Sequence, residues 1–211
     1  REAPRWEGWP ARQAPPGAGA GDRVWAPPAA AAGRPSVAVV PFKNLGGDRD
    51  NEYFADGITE DVIAQLSKIR ALKVISRTSV MPFKERGASL RTIGARLGAT
   101  AVLDGSVRRA GNRVRIVAEL VDVATGEHLW AETYDRDLTD IFSIQTDVAL
   151  HITAALRAEL SSDERTRIGR EPTRSMASYQ LYLKGRHASN QGTARDYRTY
   201  LDDVSAVTGY A

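Results

Sequence analysis

Gly111-Asn112 is flanked by two runs, residues 101–110 and 113–123, in which apolar and polar side chains alternate. Alternation with period two signals a strand, and a two-residue Gly-Asn link between two such runs signals a tight hairpin. Side chains on a strand point alternately to opposite faces, so the turn also decides which residues share a face. Pairing outward from it sets Val107 against Ile116 and Leu103 against Leu120 on one face. The other face receives Arg108 opposite Arg115, with Arg113 near the tip. A second turn at Ala124-Thr-Gly-Glu127 leads into a strand over residues 128–134. Continued through that turn, the pattern puts Leu129 and Ala131 on the first face and Val117, Val121, Trp130 and Tyr134 on the second. Both faces then carry apolar side chains, so helices or a partner are expected over both. Left uncovered, Trp130, Val121 and Tyr134 would form an apolar interface, because soluble monomers rarely expose such patches.

Two βα units precede this meander. Residues 37–42 form a short apolar strand with little alternation, as expected of a central one. The loop 43–51 holds Gly46-Gly47-Asp48, a turn signal. A helix is expected over 54–69, with Ile58, Val62, Leu66 and Ile69 on one face. Residues 72–79 alternate as a strand. Ser89 is placed to cap a shorter helix that buries Leu90, Ile93 and Leu97 and stops at Gly98. A closing helix over 140–160 carries Ile141, Ile144, Val148, Ile152 and Ala155 on one stripe. It is expected to fold back over the second sheet face, with the helix 54–69 over the first. The fold class expected is α/β: a five-stranded mixed sheet built from two βα units, a β-meander and a closing helix.

The flanks differ in composition. Residues 1–35 are a Pro/Ala/Gly-rich linker, expected to be disordered because it cannot bury enough apolar surface to offset its ordering entropy. Trp6, Trp9 and Trp25 within it are read as incidental; a membrane-interface role would need a span just upstream. The α/β domain is assigned to residues 36–160, a polar connector to 161–175 and a C-terminal helical pair to 176–211. The net charge of +3 is uneven: residues 36–160 carry 16 basic and 17 acidic side chains, so the excess belongs to the flanks. A near-neutral domain argues against nucleic acid as a partner. With no Cys there is no disulfide framework and no thiolate metal site. No apolar run approaches the ~18 residues of a membrane span, so membrane attachment is expected only through a segment upstream.

Four stretches lie in a characteristic order: Phe-Ala-Asp-Gly-Ile-Thr-Glu-Asp at 54–61, Gly-Ser-Val-Arg-Arg at 105–109, Leu-Trp-Ala-Glu-Thr-Tyr-Asp-Arg at 129–136, and Asp-Ile-Phe-Ser-Ile-Gln at 140–145. Together they resemble the TolB amino-terminal-like (FlgO-like) domain of bacterial envelope and signalling proteins, over residues 35–160. The resemblance implies a non-enzymatic protein-interaction or sensory module. Such domains accompany class III nucleotide cyclases, winged-helix regulators and kinases, or precede tetratricopeptide arrays. They commonly sit on the periplasmic side of the inner membrane, with a cytoplasmic setting as the alternative. Ala-Ser-Tyr-Gln-Leu-Tyr-Leu-Lys-Gly-Arg at 177–186 resembles the first helix of a tetratricopeptide-type repeat. Asp203 and Val207-Thr208 depart from that pattern, and one degraded unit cannot form a solenoid. A truncated array is favoured over a helix pair packed on the domain.

No catalytic constellation is apparent, and neither cofactor nor metal is expected. His128, His151 and His187 fall in different elements without ligand spacing. Charge compensation at a helix start accounts for Asp56, Glu60 and Asp61. The 43–50 loop lacks the Gly-Lys-Ser/Thr ending of a phosphate loop, and the serines have no partner histidine. The best candidate for an anion or partner contact is the cluster Arg108, Arg109, Arg113 and Arg115, where like charges opposed across a hairpin ask for a counter-charge. Asp104 and Glu119 are expected to supply it within the domain, so solvated or internally paired arginines are favoured over a phosphate or nucleic-acid site.

Overall fold

A computed structural model describes residues 33–46, 51–84, 87–173, 175–191 and 198. The Pro/Ala/Gly-rich segment 1–32, Gly47-Asp48 and the second half of the expected helical pair, with Asp203 and Val207-Thr208, lie outside the described residues. Among the described residues, no helix is long and apolar enough to cross a membrane.

The chain runs through β1 (Ser36–Val39), β2 (Lys43–Asn44), α1 (Glu52–Leu66), β3 (Lys73–Val74), α2 (Arg77–Val80) and α3 (Leu90–Leu97). It continues through β4 (Ala101–Ala110), β5 (Arg113–Asp122), β6 (His128–Asp137), α4 (Ile141–Ala155), α5 (Ser162–Ile168) and α6 (Met176–Gln191). The sheet order is β3-β1-β4-β5-β6, parallel across β3-β1-β4 and antiparallel across β4-β5-β6. The α/β class and the mixed sheet are as expected, but the described residues form six strands.

The extra strand lies in the stretch read as a loop. β2 pairs in parallel with β4 beyond the end of β1, with Lys43 opposite Ser106 and Asn44 opposite Val107. Pro41 between them has no N–H to give to the ladder. The Phe42 N–H turns instead to the Thr59 hydroxyl of α1, at 2.9 Å. That tucks the Phe42 ring fully into the core against Gly105, where a Cβ would stand 2.6 Å from the Val117 carbonyl and 2.9 Å from the ring.

The stretch 72–79 is a second correction. Only Lys73–Val74 pairs, because from Arg77 the chain turns helical and buries Val80 and Phe83 behind β1. The shorter helix is as expected: the Ser89 hydroxyl accepts the Thr92 N–H, and Gly98 closes the helix at φ +63°. Left-handed φ is the conformation glycine adopts without steric cost.

The Gly111-Asn112 hairpin has the expected register throughout, with Leu103 opposite Leu120, Val107 opposite Ile116 and Arg108 opposite Arg115. The second hairpin does not. A bulge between Leu120 and Val121 pairs Leu120 with Trp130 but Val121 with His128, and Tyr134 lands opposite Ile116. One extra residue moves every later side chain to the other face. Trp130 and Tyr134 therefore join Leu103, Ile116 and Leu120, not Val117 and Val121.

Helix placement follows from that shift. α4 packs on the same face as α1, and Ile141, Ile144, Val148 and Ile152 share one core with Phe54, Ile58, Val62, Leu66, Ile116 and Leu120. The second face has a smaller core of Ala38, Val40, Val80, Phe83, Ile93 and Val102, under α2 and α3. Among the described residues, no helix covers most of that face over β5 and β6, where Val117, Ala131 and Thr133 are exposed. The expected fold-back of α4 over the second face is thus replaced by two helices over the first.

Candidate interaction site on helix α1

The sequence pattern puts Asp56, Glu60 and Asp61 at a helix start, where negative charge is favoured. α1 begins at Glu52, so all three sit in its middle, beyond the first turn in which a helix dipole stabilises anions. Asp56 and Glu60 are buried, at 7% and 6% exposure. Mid-helix burial of charge is costly unless each carboxylate is paired. Each one is, from two directions.

The first set of partners comes from the segment following β3. Lys84 Nζ lies 2.5 Å from Asp56 Oδ1 and 3.3 Å from Glu52 Oε2, and Arg77 Nε lies 2.7 Å from Glu60 Oε1. The second set comes from α6. Its Tyr179 hydroxyl donates to Asp61 Oδ2 at 2.6 Å, and Arg186 forms an ion pair with Glu60. His187 Nδ1 lies 3.2 Å from Asp56 Oδ2, and Asn190 Nδ2 donates to Glu60 Oε1 at 3.0 Å. Tyr179, Leu183, Arg186, His187 and Asn190 fall at the spacings that line one face of a helix.

Apolar contact completes the seam. Tyr179 and Leu183 are buried in the main core, and Tyr179 meets the Phe142 ring edge-on at 4.8 Å between centroids. Gly57 removes the side chain that Leu183 would otherwise strike. Gln145 of α4 donates to both Asp61 and the Tyr179 hydroxyl, at 3.1 and 3.0 Å. α6 thus packs on the domain, while the second helix of the expected pair lies outside the described residues.

Ionisation follows the pairing. Burial alone would raise Asp56, but hydrogen bonds from His187 and Lys84, with their charges, outweigh it and hold the carboxyl below its usual range. Burial would likewise lower Lys84, and its Asp56 and Glu52 partners reverse that and raise it. At Asp61 burial prevails over the bonds from Tyr179 and Gln145, and its pKa is raised. Tyr179 is pushed well up by burial and by the Asp61 charge beside it.

The arginine hairpin is partly paired, through other groups than expected. Arg113 reaches Asp135 at 2.5 Å and Asp137 at 3.4 Å, both on β6. Asp104 and Glu119 pair instead with Lys43 and His128. Arg109 leaves the cluster for the other face, where it bonds the Tyr53 hydroxyl and lies over the Phe54 ring. Arg108 and Arg115 stay exposed side by side, with Asp135 opposite Arg115 on β6.

Tyr134 and Val121 are buried, and Trp130 is half-buried and stacked on His151 of α4 at 5.5 Å. None is left open as an interface. Among the described residues, no group of three or more His, Asp or Glu side chains is arranged to hold a metal ion. Local reading missed the α6 contacts because the partners lie far apart in sequence. The available signal was three acids at helical spacing together with a later helix carrying Arg186-His187 at matching spacing.

No family model matches the chain. A curated protein of Rhizobium meliloti (strain 1021) named "Putative adenylate cyclase 3" is 45% identical over 168 residues, covering 80% of this chain. This chain spans 29% of that protein's length. Among solved structures, similarity is found to TolB from Acinetobacter baumannii (TM-score 0.44, 19% identity, 58% of this chain and 28% of that one). It is also found to lipoprotein GNA1162 from Neisseria meningitidis (TM-score 0.42, 22% identity, 56% and 96%). The LpoB C-terminal domain from Salmonella enterica gives a TM-score of 0.40 at 20% identity, over 51% and 86%.

Proposed function

We propose that this chain is a non-enzymatic protein-interaction and sensory module of a membrane-associated bacterial signalling protein. In this reading residues 36–160 are a TolB amino-terminal-like, FlgO-like domain and α6 begins a tetratricopeptide-type segment. The observation that carries it is the seam between α1 and α6. Lys84, Arg77 and Gln145 pair the three mid-helix carboxylates from within the α/β unit, and a second set of donors, matched to the same three acids, comes from a helix outside it. A helix receptor is an interaction device, and it couples the domain to whatever α6 is joined to.

The identity with the cyclase-named protein supports the more specific form, an accessory region of a class III adenylate or guanylate cyclase whose output domain lies upstream. A winged-helix regulator is the other such output. The module then acts on the periplasmic side of the inner membrane, held by an upstream segment, with the cytoplasm as the alternative. Protein partners are engaged through the α/β domain and the helices, and nucleic acid is not a partner.

The test uses the whole chain with its own α6 weakened by Tyr179→Ala and Arg186→Ala. A peptide of the Met176–Gln191 sequence should then bind, with Kd on the order of micromolar to tens of micromolar. The same peptide carrying Arg186→Glu should not. Equal binding of both peptides, or none at millimolar concentration, removes the basis for calling α1 a helix receptor.

A further inference from the structure

A cavity of about 360 Å³ lies where α1, α4, α6 and the loop at 170–173 meet. That volume is within the range of small-molecule sites, roughly 300–1,000 Å³. Its walls are largely apolar: Ala64 on α1, Pro172 on the loop, and the rings of Tyr179 and Tyr182 on α6. Tyr182 is a large side chain left 52% exposed there.

The polar groups at this cavity are not balanced. Among the described residues Asp61 is its one acid, and its carboxylate already receives the Tyr179 hydroxyl and the Gln145 amide. Lys68 and Arg170 are its two cations among the described residues. Among the described residues, Arg170 takes part in no ion pair. Lys68 donates to the Gln65 side chain at 2.6 Å and to the Arg167 carbonyl at 3.0 Å, so one of its three N–H bonds is left over. Burial and the nearby Arg167 charge depress the Lys68 pKa, and the Asp61 charge offsets them only in part. An anion at the mouth would add to that offset.

We propose that this cavity binds a small monoanionic amphiphile, a carboxylate with an aromatic or aliphatic body, its body between Ala64, Pro172 and the two tyrosines and its carboxylate on Lys68 and Arg170. Because α6 supplies one wall, the ligand binds only the docked state. Occupancy therefore holds α6 on the domain, and docking in turn raises the affinity, by linkage. The ligand thus supplies an input for the module.

The experiment titrates the whole chain with 4-phenylbutyrate and with its neutral isostere 4-phenylbutanamide, by calorimetry at low salt. The carboxylate should bind at least about tenfold tighter, the value of one charge-assisted hydrogen bond. Lys68→Gln with Arg170→Gln should erase that preference, and Ala64→Phe, which fills the cavity, should abolish binding of both compounds. Equal affinities for the two, binding that survives Ala64→Phe, or no binding to the carboxylate overturns the proposal. It rests on α6 being docked, as the interaction reading does. Hydrogen exchange across Met176–Gln191 in the same samples separates the two: a protected α6 with no probe bound overturns the ligand site alone, whereas an unprotected α6 overturns both.

Discussion

Gly57→Ala sets two effects of known sign against each other. Gly57 lies within α1 and faces Leu183 of α6; a Cβ built there stands 2.6 Å from Leu183 Cδ2 and 2.9 Å from Cδ1. In a helix that faced only solvent, replacing Gly by Ala would stabilise by about 1 kcal/mol. Against a packed partner, an inserted methyl costs about 1–3 kcal/mol. Leu183 is 1% exposed and seated in the main core, so it has little room to yield. The net expectation is a loss of about 1 kcal/mol, expressed as loosening of α6. Urea unfolding followed by circular dichroism gives the magnitude. A second variant identifies the cause. Leu183→Ala alone should cost about 2–4 kcal/mol, and adding Gly57→Ala to it should recover about 1 kcal/mol, because the new methyl then enters vacated space. If Gly57→Ala stabilises the chain by itself and adds independently to Leu183→Ala, α6 does not pack on α1 and the reasoning fails.

Glu60→Gln removes the charge shared by Arg77 and Arg186, both partly solvated, and should cost about 2 kcal/mol in thermal or urea unfolding. Gly105→Ala should be among the most damaging single changes, since the Val117 carbonyl in its path is backbone and cannot rotate away; soluble yield and melting temperature report it. Glu164 accepts the Arg70 N–H, the Ser161 N–H and the Ser161 hydroxyl, and these bonds lower its carboxyl from 4.5 to about 2. A folded-state pKa below the unfolded one contributes stability that is present above pH 4.5 and lost as the pH falls toward 2, so Glu164→Gln should flatten the acid limb of a stability profile in that window. The purified chain should form no cyclic nucleotide from ATP or GTP; turnover that tracks a point substitution in it would refute the non-enzymatic reading.

Legibility in the sequence followed the range of the interactions. Gly111-Asn112 is a local signal, and a two-residue turn leaves no freedom of register, so ten residue pairs of β4 and β5 fall where alternation puts them. Ser89 and Gly98 are local in the same sense. The bulge at Leu120/Val121 inserts one residue without a glycine or proline to mark it, and that alone exchanged the faces of Trp130 and Tyr134. The face that α4 covers changes with them. Asp56, Glu60 and Asp61 were legible as a group, but their meaning depended on partners such as Tyr179 and Asn190, 118 and 130 residues away. No helical periodicity encodes such a separation. Pro41 was visible, whereas the short β2 after it depends on β4 offering free backbone at Ser106 and Val107.

The most direct measurement is native-state hydrogen exchange across Met176–Gln191 in the whole chain, with and without Arg186→Ala. Leu183, His187 and their neighbours should exchange slowly, with protection approaching that of Ile58 and Val62 in α1. Arg186→Ala should release α6 selectively while α1 and the strands of the sheet keep most of their protection. Exchange of α6 at the rate of an isolated peptide in the unsubstituted chain, with α1 still protected, would contradict the claim that the carboxylates of α1 exist to hold a helix.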